Sequence, residues 1–347
     1  MKTVVTGATG RVGANLIKRL CTLGYDVIGC ILPDDPHEAK LDSLPIEKAH
    51  LNIMDAAAVM EIIKDAEIVI HTAAVHEGSL SKLPNTDFFD INVKGMFNVL
   101  EAIRHSGKRT QLICLSSSAV YDVFTAPTAP IKEMDRRRPI TLYGLTKILV
   151  EEQTRQYEWE YDIPATIIRP NYIITGPEML GAFNLNVVFD VLYKYADNAN
   201  VQFHYPEQPD AWMTAKSDTG MSGETLCVPR CPDGQSWQWH MTDIRDVIDF
   251  IELCMNNEKA WGQTFNIAGA DVGDWSEVVP YIAEKTGRKI VSVDIPNSWR
   301  YCFDQSAAKD VLGFTSQYDH QAMVDIAMAM QQNEDVGIIR SESFMLA

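Results

Sequence analysis

Short apolar runs alternate with helical patterns through the first two thirds of the chain. In order they read KTVVTG, ANLIKRLCTLG, DVIGCIL, AAAVMEIIKD, EIVIHTAA, KGMFNVLEAIRHSG, RTQLICLSSS, LTKILVEEQTRQYEWEY and PATIIRP. Strands that alternate with helices at this spacing are joined by crossovers, which favour parallel pairing with helices on both faces. EIVI and LICL are continuously apolar, as in strands covered on both sides. The pattern predicts an α/β fold with a doubly wound parallel sheet.

The alternation is lost between about residues 178 and 235, where Pro, Gly, Asp and Trp are frequent, and it returns with DIRDVIDFIELC and QTFNIAG. We therefore predict a sheet domain formed by residues 1–177 and 237–270. Residues 178–236 and 271–347 form a smaller, mostly C-terminal α/β portion. Ligands of open α/β sheets bind at the carboxyl ends of the strands, so this portion is expected to bind substrate there. The final SESFMLA is predicted to be a loosely held tail.

Composition excludes several classes of function. The chain has 347 residues and a formal net charge of −17, so nucleic acid would be repelled over most of its surface. We interpret the Arg136–Arg138 triplet as a solvated loop. No apolar stretch is long enough to span a bilayer, and we expect no membrane association and no secretory signal.

The seven cysteines are scattered, as expected of reduced thiols in a cytoplasmic protein. Cys227 and Cys231 are spaced loosely like metal ligands, but no second Cys or His pair completes a zinc site. We therefore predict no metal site.

A glycine-rich stretch, TGATGRVG, connects the first strand to the first helix. Gly7 permits a tight turn, Gly10 lets the backbone approach a pyrophosphate, and Gly13 allows close packing of helix on sheet. The helix N-terminus adds N–H donors and the positive end of the helix dipole. In this strand–turn–helix context the motif predicts a dinucleotide-binding loop.

The end of the second strand selects between NAD and NADP, because an acidic residue there binds the ribose 2′-hydroxyl and an arginine binds the 2′-phosphate. The expected position holds Ile31 or Leu32, so neither determinant is in place. Asp34 and Asp35 follow and would repel a 2′-phosphate, whereas Arg11 could attract one. We predict NAD, with NADP not excluded.

Tyr143 and Lys147 in TLYGLTK lie four residues apart at the start of a helix, hence on one face. Many such pairs occur by chance. The pair is nevertheless a candidate for catalysis, because a nearby ammonium lowers the pKa of a phenol and lets it act as a base near neutral pH.

With TGATGRVG, LNIMD, HTAA, NVKGMFNVLEA, LSSSAVYD, YGLTK and IIRPNYIITGP in order, the chain resembles the extended short-chain dehydrogenases/reductases. This group contains NAD-dependent epimerases and dehydratases, among them UDP-sugar epimerases, and dihydroflavonol-reductase-like proteins. The resemblance covers about residues 2–177. It implies a Rossmann domain and a homodimer built through the helices near residues 88–106 and 143–160.

The resemblance also implies which residues contact the cofactor. Besides Tyr143 and Lys147 they form five groups. In order, the groups belong to the glycine loop, the adenine pocket, the ribose and pyrophosphate path, the helix beside the active-site helix, and the nicotinamide end. They are Gly7, Gly10, Arg11, Val12 and Gly13; Asn52 and Ile53; Ala73 and Ala74; Asn92; and Pro170 and Ile173.

The family's catalytic Ser or Thr precedes the Val of a Val-Tyr pair by three residues, which selects Ser117 in SSSAVYD. Ser117 is expected to hydrogen-bond the reacting oxygen, Tyr143 to move its proton and Lys147 to tune Tyr143. Ser116 is interpreted as a strand-end residue that satisfies backbone groups.

Neighbouring positions restrict the reaction. Dehydratases of the family carry an acidic pair after the catalytic hydroxyl and decarboxylases a Glu two residues after it, but this chain has Ser118 and Ala119. Both reactions are therefore disfavoured.

The usual pyrophosphate-binding Arg is also missing from GQSWQWHMTD, and Arg230 and Arg300 are the nearest alternatives. We therefore expect a smaller, carbohydrate-like substrate.

His76, Ser118 and Tyr172 are the candidate substrate contacts, with His76 equally interpretable as a surface residue. His240 and Asp243 match family positions that are mainly structural. Trp212, Trp237 and Trp239 form either an aromatic wall over a sugar ring or the packing of the irregular portion.

Three functions remain open. The first is an NAD(P)-dependent oxidoreductase that transfers hydride to or from a hydroxyl or carbonyl carbon. The second is an NAD-dependent sugar or nucleotide-sugar epimerase with a transient keto intermediate. The third, a non-catalytic dinucleotide-sensing protein, is disfavoured because such proteins often lose the Tyr or the Lys.

Overall fold

The computed structural model describes residues 1–76, 83–123, 130–195, 224–296 and 298–341. Seven parallel strands form the central sheet, in the order β11-β6-β5-β4-β1-β2-β3. They are β1 Lys2–Thr6, β2 Asp26–Ile31, β3 Glu47–His50, β4 Ile68–His71, β5 Gln111–Leu115, β6 Ala165–Pro170 and β11 Thr264–Ile267. The predicted doubly wound parallel sheet is confirmed.

Helices cover both faces of this sheet. The α-helices of the described ranges are α1 Arg11–Thr22, α2 Ala56–Ile63, α3 Asn85–Phe89, α4 Gly95–His105, α5 Leu142–Tyr161, α6 Leu185–Tyr195, α7 Ile244–Cys254, α8 Trp275–Thr286, α9 Ser306–Leu312 and α10 His320–Gln331. One apolar core packs α1 and α7 on the sheet, and a second packs α2, α4 and α5 on the opposite face. A π-helical turn at Asp90–Lys94 joins α3 to α4.

The remaining strands are short and lie outside the central sheet. They are β7 Ile173–Ile174, β8 Leu226–Arg230, β9 Gln238–Trp239, β10 Thr242–Asp243, β12 Gly273–Asp274 and β13 Ile290–Asp294. β7 pairs with β10, β8 with β13, and β9 with β12. A third apolar core, separate from the two on the sheet, holds β8 against α6, α8 and α10.

The carboxyl ends of the central strands meet along one edge. Thr6 of β1 pairs with His71 of β4, and His71 pairs with Cys114 of β5. Leu115 in turn pairs with Ile168 of β6. The glycine loop and the segments that begin at residues 72, 116 and 171 therefore emerge side by side. This edge carries the candidate site.

Two further observations concern the chain as a whole. In the ranges given above, no helix is both long and apolar enough to cross a membrane. Trp212 and the SESFMLA tail beyond Ser341 lie outside the described residues.

Candidate active site

The glycine loop has the geometry that its sequence predicts. Gly7 has a φ of +70°, and a Cβ there would lie 2.8 Å from backbone atoms of Ala73. A Cβ on Gly13 would overlap the Gly7 carbonyl oxygen, and Gly10 donates its N–H to that same oxygen at 3.0 Å. Side chains are therefore excluded from Gly7 and Gly13, and the loop keeps its backbone accessible.

The start of α1 suits an anion. Its N-cap residue, Gly10, has no side chain to cap the helix, and the first turn contains no acidic residue. The first N–H groups of a helix have no partner within the helix, and together with the helix dipole they attract a negative group. Arg11, Val12 and Gly13 begin the helix, so their backbone fits the pyrophosphate of a dinucleotide.

The Arg11 side chain does not lie where a 2′-phosphate would bind. Its Nη1 donates to the Ile173 carbonyl at 2.5 Å and to the Glu178 carboxylate at 2.7 Å. The ion pair is buried, with 11% and 9% of the two side chains exposed. The expectation that Arg11 could attract a 2′-phosphate therefore loses its basis, because the Ile173 carbonyl of β7 and the Glu178 carboxylate of the following 3₁₀ turn bind its guanidinium.

An acidic group does reach the glycine loop from the end of β2. Thr9 Oγ1 donates to Asp35 Oδ2 at 2.6 Å, while Asp35 Oδ1 accepts from the His37 N–H at 2.8 Å. From the sequence we expected Asp35 to repel a 2′-phosphate but missed it as a ribose contact, because Asp34, at a φ of +63°, turns the chain back toward the loop. The Asp35 carboxylate is thus the candidate for binding the adenosine ribose.

The other predicted cofactor residues line the same edge. Asn52 is exposed after β3, and Ile53 is buried against Gly95 of α4. Ala73 and Ala74 follow β4 and are half-buried beside the glycine loop. These residues follow β3 and β4, on the same edge of the sheet as the glycine loop.

The structure brings Tyr143 and Lys147 together next to the strand that precedes Ser117. Lys147 is buried, and its Nζ donates to the Leu115 carbonyl at 2.8 Å. The same Nζ lies 5.7 Å from the centroid of the Tyr143 ring. One turn of α5 therefore presents both groups to the end of β5.

Ser117 is the half-buried member of the serine triplet. It caps the short 3₁₀ turn Ser118–Val120, and its Oγ accepts from the Ala119 N–H at 3.1 Å. α5 approaches this turn closely because Gly144 lies against the Ala119 carbonyl, where a Cβ would overlap the oxygen. Neither contact uses the hydroxyl proton of Ser117.

The two flanking serines are buried and engaged elsewhere. Ser116 donates to Glu151 at 2.6 Å, so its partner is a carboxylate rather than the backbone group that we expected. Ser118 donates to Asn171 Oδ1 at 2.6 Å. Ser118 is therefore part of the packing between β5 and β6, and the prediction that it contacts substrate loses its basis.

Asn92 connects the loop after β4 to the active-site helix. Its side chain accepts from the Val75 N–H and donates to the Val75 carbonyl and to Thr146 Oγ1, each at 2.9 Å. This arrangement fixes His76, whose ring meets that of Tyr143 edge-on at a centroid distance of 6.2 Å. Burial, then the charges of Arg11 and Lys147, lower the pKa of His76. His76 is thus a neutral group at the site.

Tyr172 is half-buried and has a φ of +37°, unusual for a non-glycine residue. Its ring packs on Trp239 at 5.6 Å, and its buried hydroxyl has no hydrogen-bond partner among the described residues. Burial raises the pKa of this phenol well above its usual range. Pro170 and Ile173 are buried on either side of it.

The two described tryptophans of the predicted wall pack in the interior. Trp237 and Trp239 are fully buried and contact Trp275 and Trp299 edge-to-face. The packing interpretation therefore applies to both. A wall over a sugar ring would need exposed faces.

The polar residues predicted to be structural have structural partners. His240 Nε2 lies 2.9 Å from the Gly269 carbonyl, and its Nδ1 accepts from the Phe303 N–H at 3.0 Å. Asp243 caps α7. The two arginines named as alternative pyrophosphate contacts are engaged with neighbouring side chains: Arg230 pairs with Asp294, and Arg300 pairs with Asp233 and Gln235.

Two other sequence interpretations can be compared with the structure. Arg137, from the Arg triplet, pairs with Glu151 and Glu152, so it is engaged rather than simply solvated. Cys227 and Cys231 are buried free thiols. No group of three His, Cys, Asp or Glu side chains in the described ranges is arranged to hold a metal ion.

The sheet order and the edge site define a class: a Rossmann-type dinucleotide enzyme with the Ser, Tyr and Lys of the extended short-chain dehydrogenases/reductases. A family model described as "NAD dependent epimerase/dehydratase family" matches residues 3–268. The chain belongs to this family. The predicted family, the enzymatic function and the NAD cofactor are confirmed at this level.

Relatives and solved structures agree with this assignment. Protein CapI of Staphylococcus aureus is 29% identical over 188 residues, 51% of this chain and 55% of that protein. The uncharacterized UDP-glucose epimerase YtcB of Bacillus subtilis is 24% identical over 90% of this chain and 92% of its own length.

An NAD-bound short-chain dehydrogenase/reductase superfamily protein from Agrobacterium tumefaciens superimposes with a TM-score of 0.79. The sequence identity is 24%, and the match covers 96% of this chain and 98% of that one. The UDP-glucose 4-epimerase of Thermotoga maritima, solved with UDP-glucose, gives a TM-score of 0.72 at 18% identity over 96% and 99% of the two chains.

Proposed function

We propose that the protein transfers hydride between NAD and a hydroxyl-bearing or carbonyl carbon of a carbohydrate-like small molecule, with Ser117, Tyr143 and Lys147 as its catalytic residues. One observation carries this proposal. The Lys147 ammonium is buried between the Leu115 carbonyl and the Tyr143 ring, directly beside the segment that bears Ser117.

The side chains have distinct tasks. Ser117 Oγ already accepts from the Ala119 N–H, so its own proton is directed to the substrate oxygen. Tyr143 takes the proton of a substrate hydroxyl or returns it to a forming alkoxide, and the Lys147 ammonium lies beside the ring of this phenol. NAD, when bound, would supply the hydride chemistry at the same carbon.

The site supports NAD over NADP. The Asp35 carboxylate lies at the glycine loop and would repel a 2′-phosphate, and the Arg11 guanidinium is paired with Glu178. The glycine loop and the uncapped start of α1 fit the pyrophosphate that both dinucleotides share.

Elimination and decarboxylation remain disfavoured. The positions that carry acids in such relatives hold Ser118, whose hydroxyl is bound to Asn171, and Ala119, which has no proton to exchange. Hydride transfer without loss of a group, including a reversible oxidation that inverts a carbon, matches the groups present. We place substrate recognition in residues 178–236 and 271–347.

Epimerisation is the second candidate, and the names of relatives support it. Those at 24–32% identity include a putative UDP-glucose 4-epimerase of Methanocaldococcus jannaschii and a UDP-glucose 4-epimerase of Mycolicibacterium smegmatis. An epimerase regenerates its NAD on the enzyme, whereas a dehydrogenase exchanges NAD at each turnover.

The two candidates are separated by releasing nucleotide from the purified, denatured protein and identifying it by mass. Turnover is then assayed with NAD and with UDP-glucose, UDP-glucuronic acid, free aldoses and polyols. Stoichiometric retained NAD with inversion of a sugar carbon identifies an epimerase. Empty protein that reduces added NAD identifies a dehydrogenase.

Tyr143→Phe tests the catalytic assignment. It should lower kcat by about 10²–10⁴-fold while leaving NAD affinity within about twofold, because the phenol moves the substrate proton. Tyr281→Phe, which removes a surface hydroxyl bound to Asp325, is the control. Unchanged turnover in Tyr143→Phe would overturn the assignment, whereas a wild type that binds NAD and turns over none of the assayed compounds would favour a binding protein.

We also propose a homodimer in the cytoplasm. Phe97 on α4 and Leu145, Trp159 and Tyr161 on or at the end of α5 expose large apolar side chains, which a partner would cover. These helices are the ones that the family resemblance implies. The free cysteines, five of them buried, suit a reducing compartment.

A further inference from the structure

A buried ion pair lies directly behind the candidate catalytic residues. Glu151, one turn after Lys147 on α5, is fully buried. Both of its oxygens accept from Arg169 of β6, at 2.7 Å from Nε and 2.6 Å from Nη2. The bidentate geometry fixes the distance and orientation between α5 and the end of β6.

This ion pair contacts both ends of the turn that contains Ser117. Ser116 Oγ donates to Glu151 at 2.6 Å. At the other end, Arg169 Nη1 donates to the Tyr121 hydroxyl at 2.5 Å, and its guanidinium lies 5.1 Å from the Tyr121 ring centroid. The Tyr121 hydroxyl donates in turn to Asn266 of β11 at 3.0 Å.

Between these two ends the turn has few bonds of its own. Val120 and Tyr121 donate their N–H groups to the carbonyls of Ser117 and Ser118, and Ala119 donates to Ser117 Oγ. All three bonds lie inside the turn, so they shape it without fixing it to the rest of the protein. Ser118 adds one bond, to Asn171.

We propose that Glu151 and Arg169 are positioning residues, which hold residues 116–121 at both ends and so align the Ser117 hydroxyl with Tyr143 and Lys147. Glu151 shares α5 with Tyr143 and Lys147, so one helix sets both halves of the catalytic arrangement. The inference rests on the proposed catalytic role of Ser117.

The energetics agree with a role in geometry. Burying an ion pair costs desolvation that a well-packed apolar pair would avoid, so stability alone is a weak reason for it. A displacement of about 1 Å in a catalytic group can lower a rate by about 10²-fold. We therefore expect small displacements of this turn to lower kcat while the affinity for NAD changes little.

Ser116→Ala and Tyr121→Phe each remove the side-chain bond between the ion pair and one end of the turn, and both leave the ion pair in place, which avoids the folding defect expected of Glu151→Gln. Thr166→Val is the matched control, because it removes the buried bond from Thr166 Oγ1 of β6 to the Ala260 carbonyl while keeping a β-branched residue. Hydrogen exchange of the amides of residues 117–121 is measured for each variant. kcat is measured with UDP-glucose, or with the assayed sugar that the wild type turns over fastest.

Each single variant should speed hydrogen exchange in residues 117–121 and lower kcat by about tenfold. The fold-loss of kcat in the double variant should exceed the product of the fold-losses in the two single variants. The Kd of NAD should change by less than about twofold. If the amides of residues 117–121 exchange at the wild-type rate in both single variants, the inference is overturned. It is also overturned if kcat falls no more in these variants than in Thr166→Val. Ser117→Ala is run in parallel, because full activity there would refute the catalytic role of Ser117 instead.

Discussion

Gly144 lies against the carbonyl oxygen of Ala119, so closely that a Cβ at residue 144 would overlap that oxygen. The contact joins the first turn of α5, which carries Tyr143 and Lys147, to the turn that carries Ser117. A backbone carbonyl cannot move aside as a side chain can. The absence of a side chain at residue 144 therefore sets how near the two halves of the candidate active site come.

Gly144→Ala is expected to push α5 away from the Ser117 turn. Overpacking of this kind typically costs about 1–3 kcal/mol of stability, and we expect kcat to fall at least about tenfold because Tyr143 moves with the helix. Thermal unfolding and steady-state kinetics measure the two effects. Gly24→Ala is the control, since it adds strain at a φ of +75° where a Cβ would meet nothing within 4 Å. A similar loss of kcat there would attribute the effect to general destabilisation.

Asp35→Asn is expected to weaken discrimination against NADP. The substitution removes the negative charge beside the glycine loop, while the Thr9 hydroxyl can rotate to accept from the new amide. We expect the ratio of the Kd values for NADP and NAD to fall by about tenfold, or about 1.4 kcal/mol. Titration of the apo protein with both nucleotides gives the ratio. Asp34→Asn, at the exposed neighbouring position, should leave the ratio unchanged, and equal effects in both variants would contradict a specific role of Asp35.

His240 is expected to make the protein less stable in acid. Burial lowers its pKa to about 4, and protonation of Nδ1 would break the bond from the Phe303 N–H. The unfolded chain binds the proton near pH 6.5, so stability is full above that pH and is lost as pH falls toward 4. Thermal unfolding between pH 7 and pH 5 should show a shallower decline in His240→Asn. An identical slope in the variant would assign the acid sensitivity to other groups.

Trp159→Glu is expected to weaken the proposed dimer. Trp159 is 82% exposed on α5, where an added carboxylate would be desolvated and repelled by its symmetry mate if the helices pair. Light scattering at increasing concentration should show dimer for the wild type and monomer for the variant. Met134→Glu is the control, because Met134 is 93% exposed outside these helices. A monomeric wild type would refute the dimer.

Local signals in the sequence predicted much of the site. The spacing of Gly7, Gly10 and Gly13 predicts the backbone conformation of the glycine loop. The spacing of Tyr143 and Lys147 predicts that both lie on one face of a helix. Both are set within a few residues. Asp35 was passed over because the ribose-binding position was counted along a straight strand, whereas Asp34 reverses the chain. Arg11 was misjudged because its partners, Ile173 and Glu178, are more than 160 residues away.

By itself, the sequence determined the parallel sheet and pointed to the candidate dinucleotide loop and to the candidate hydroxyl, phenol and ammonium groups. These depend on residue type and short-range periodicity, which a linear chain displays directly. Only the tertiary structure decided that Ser116 and Ser118 are buried while Ser117 is half-buried, and that Glu151 and Arg169 form an ion pair that bonds to both ends of the turn. A side chain's task depends on which distant groups desolvate it or bind it, and folding brings those groups together.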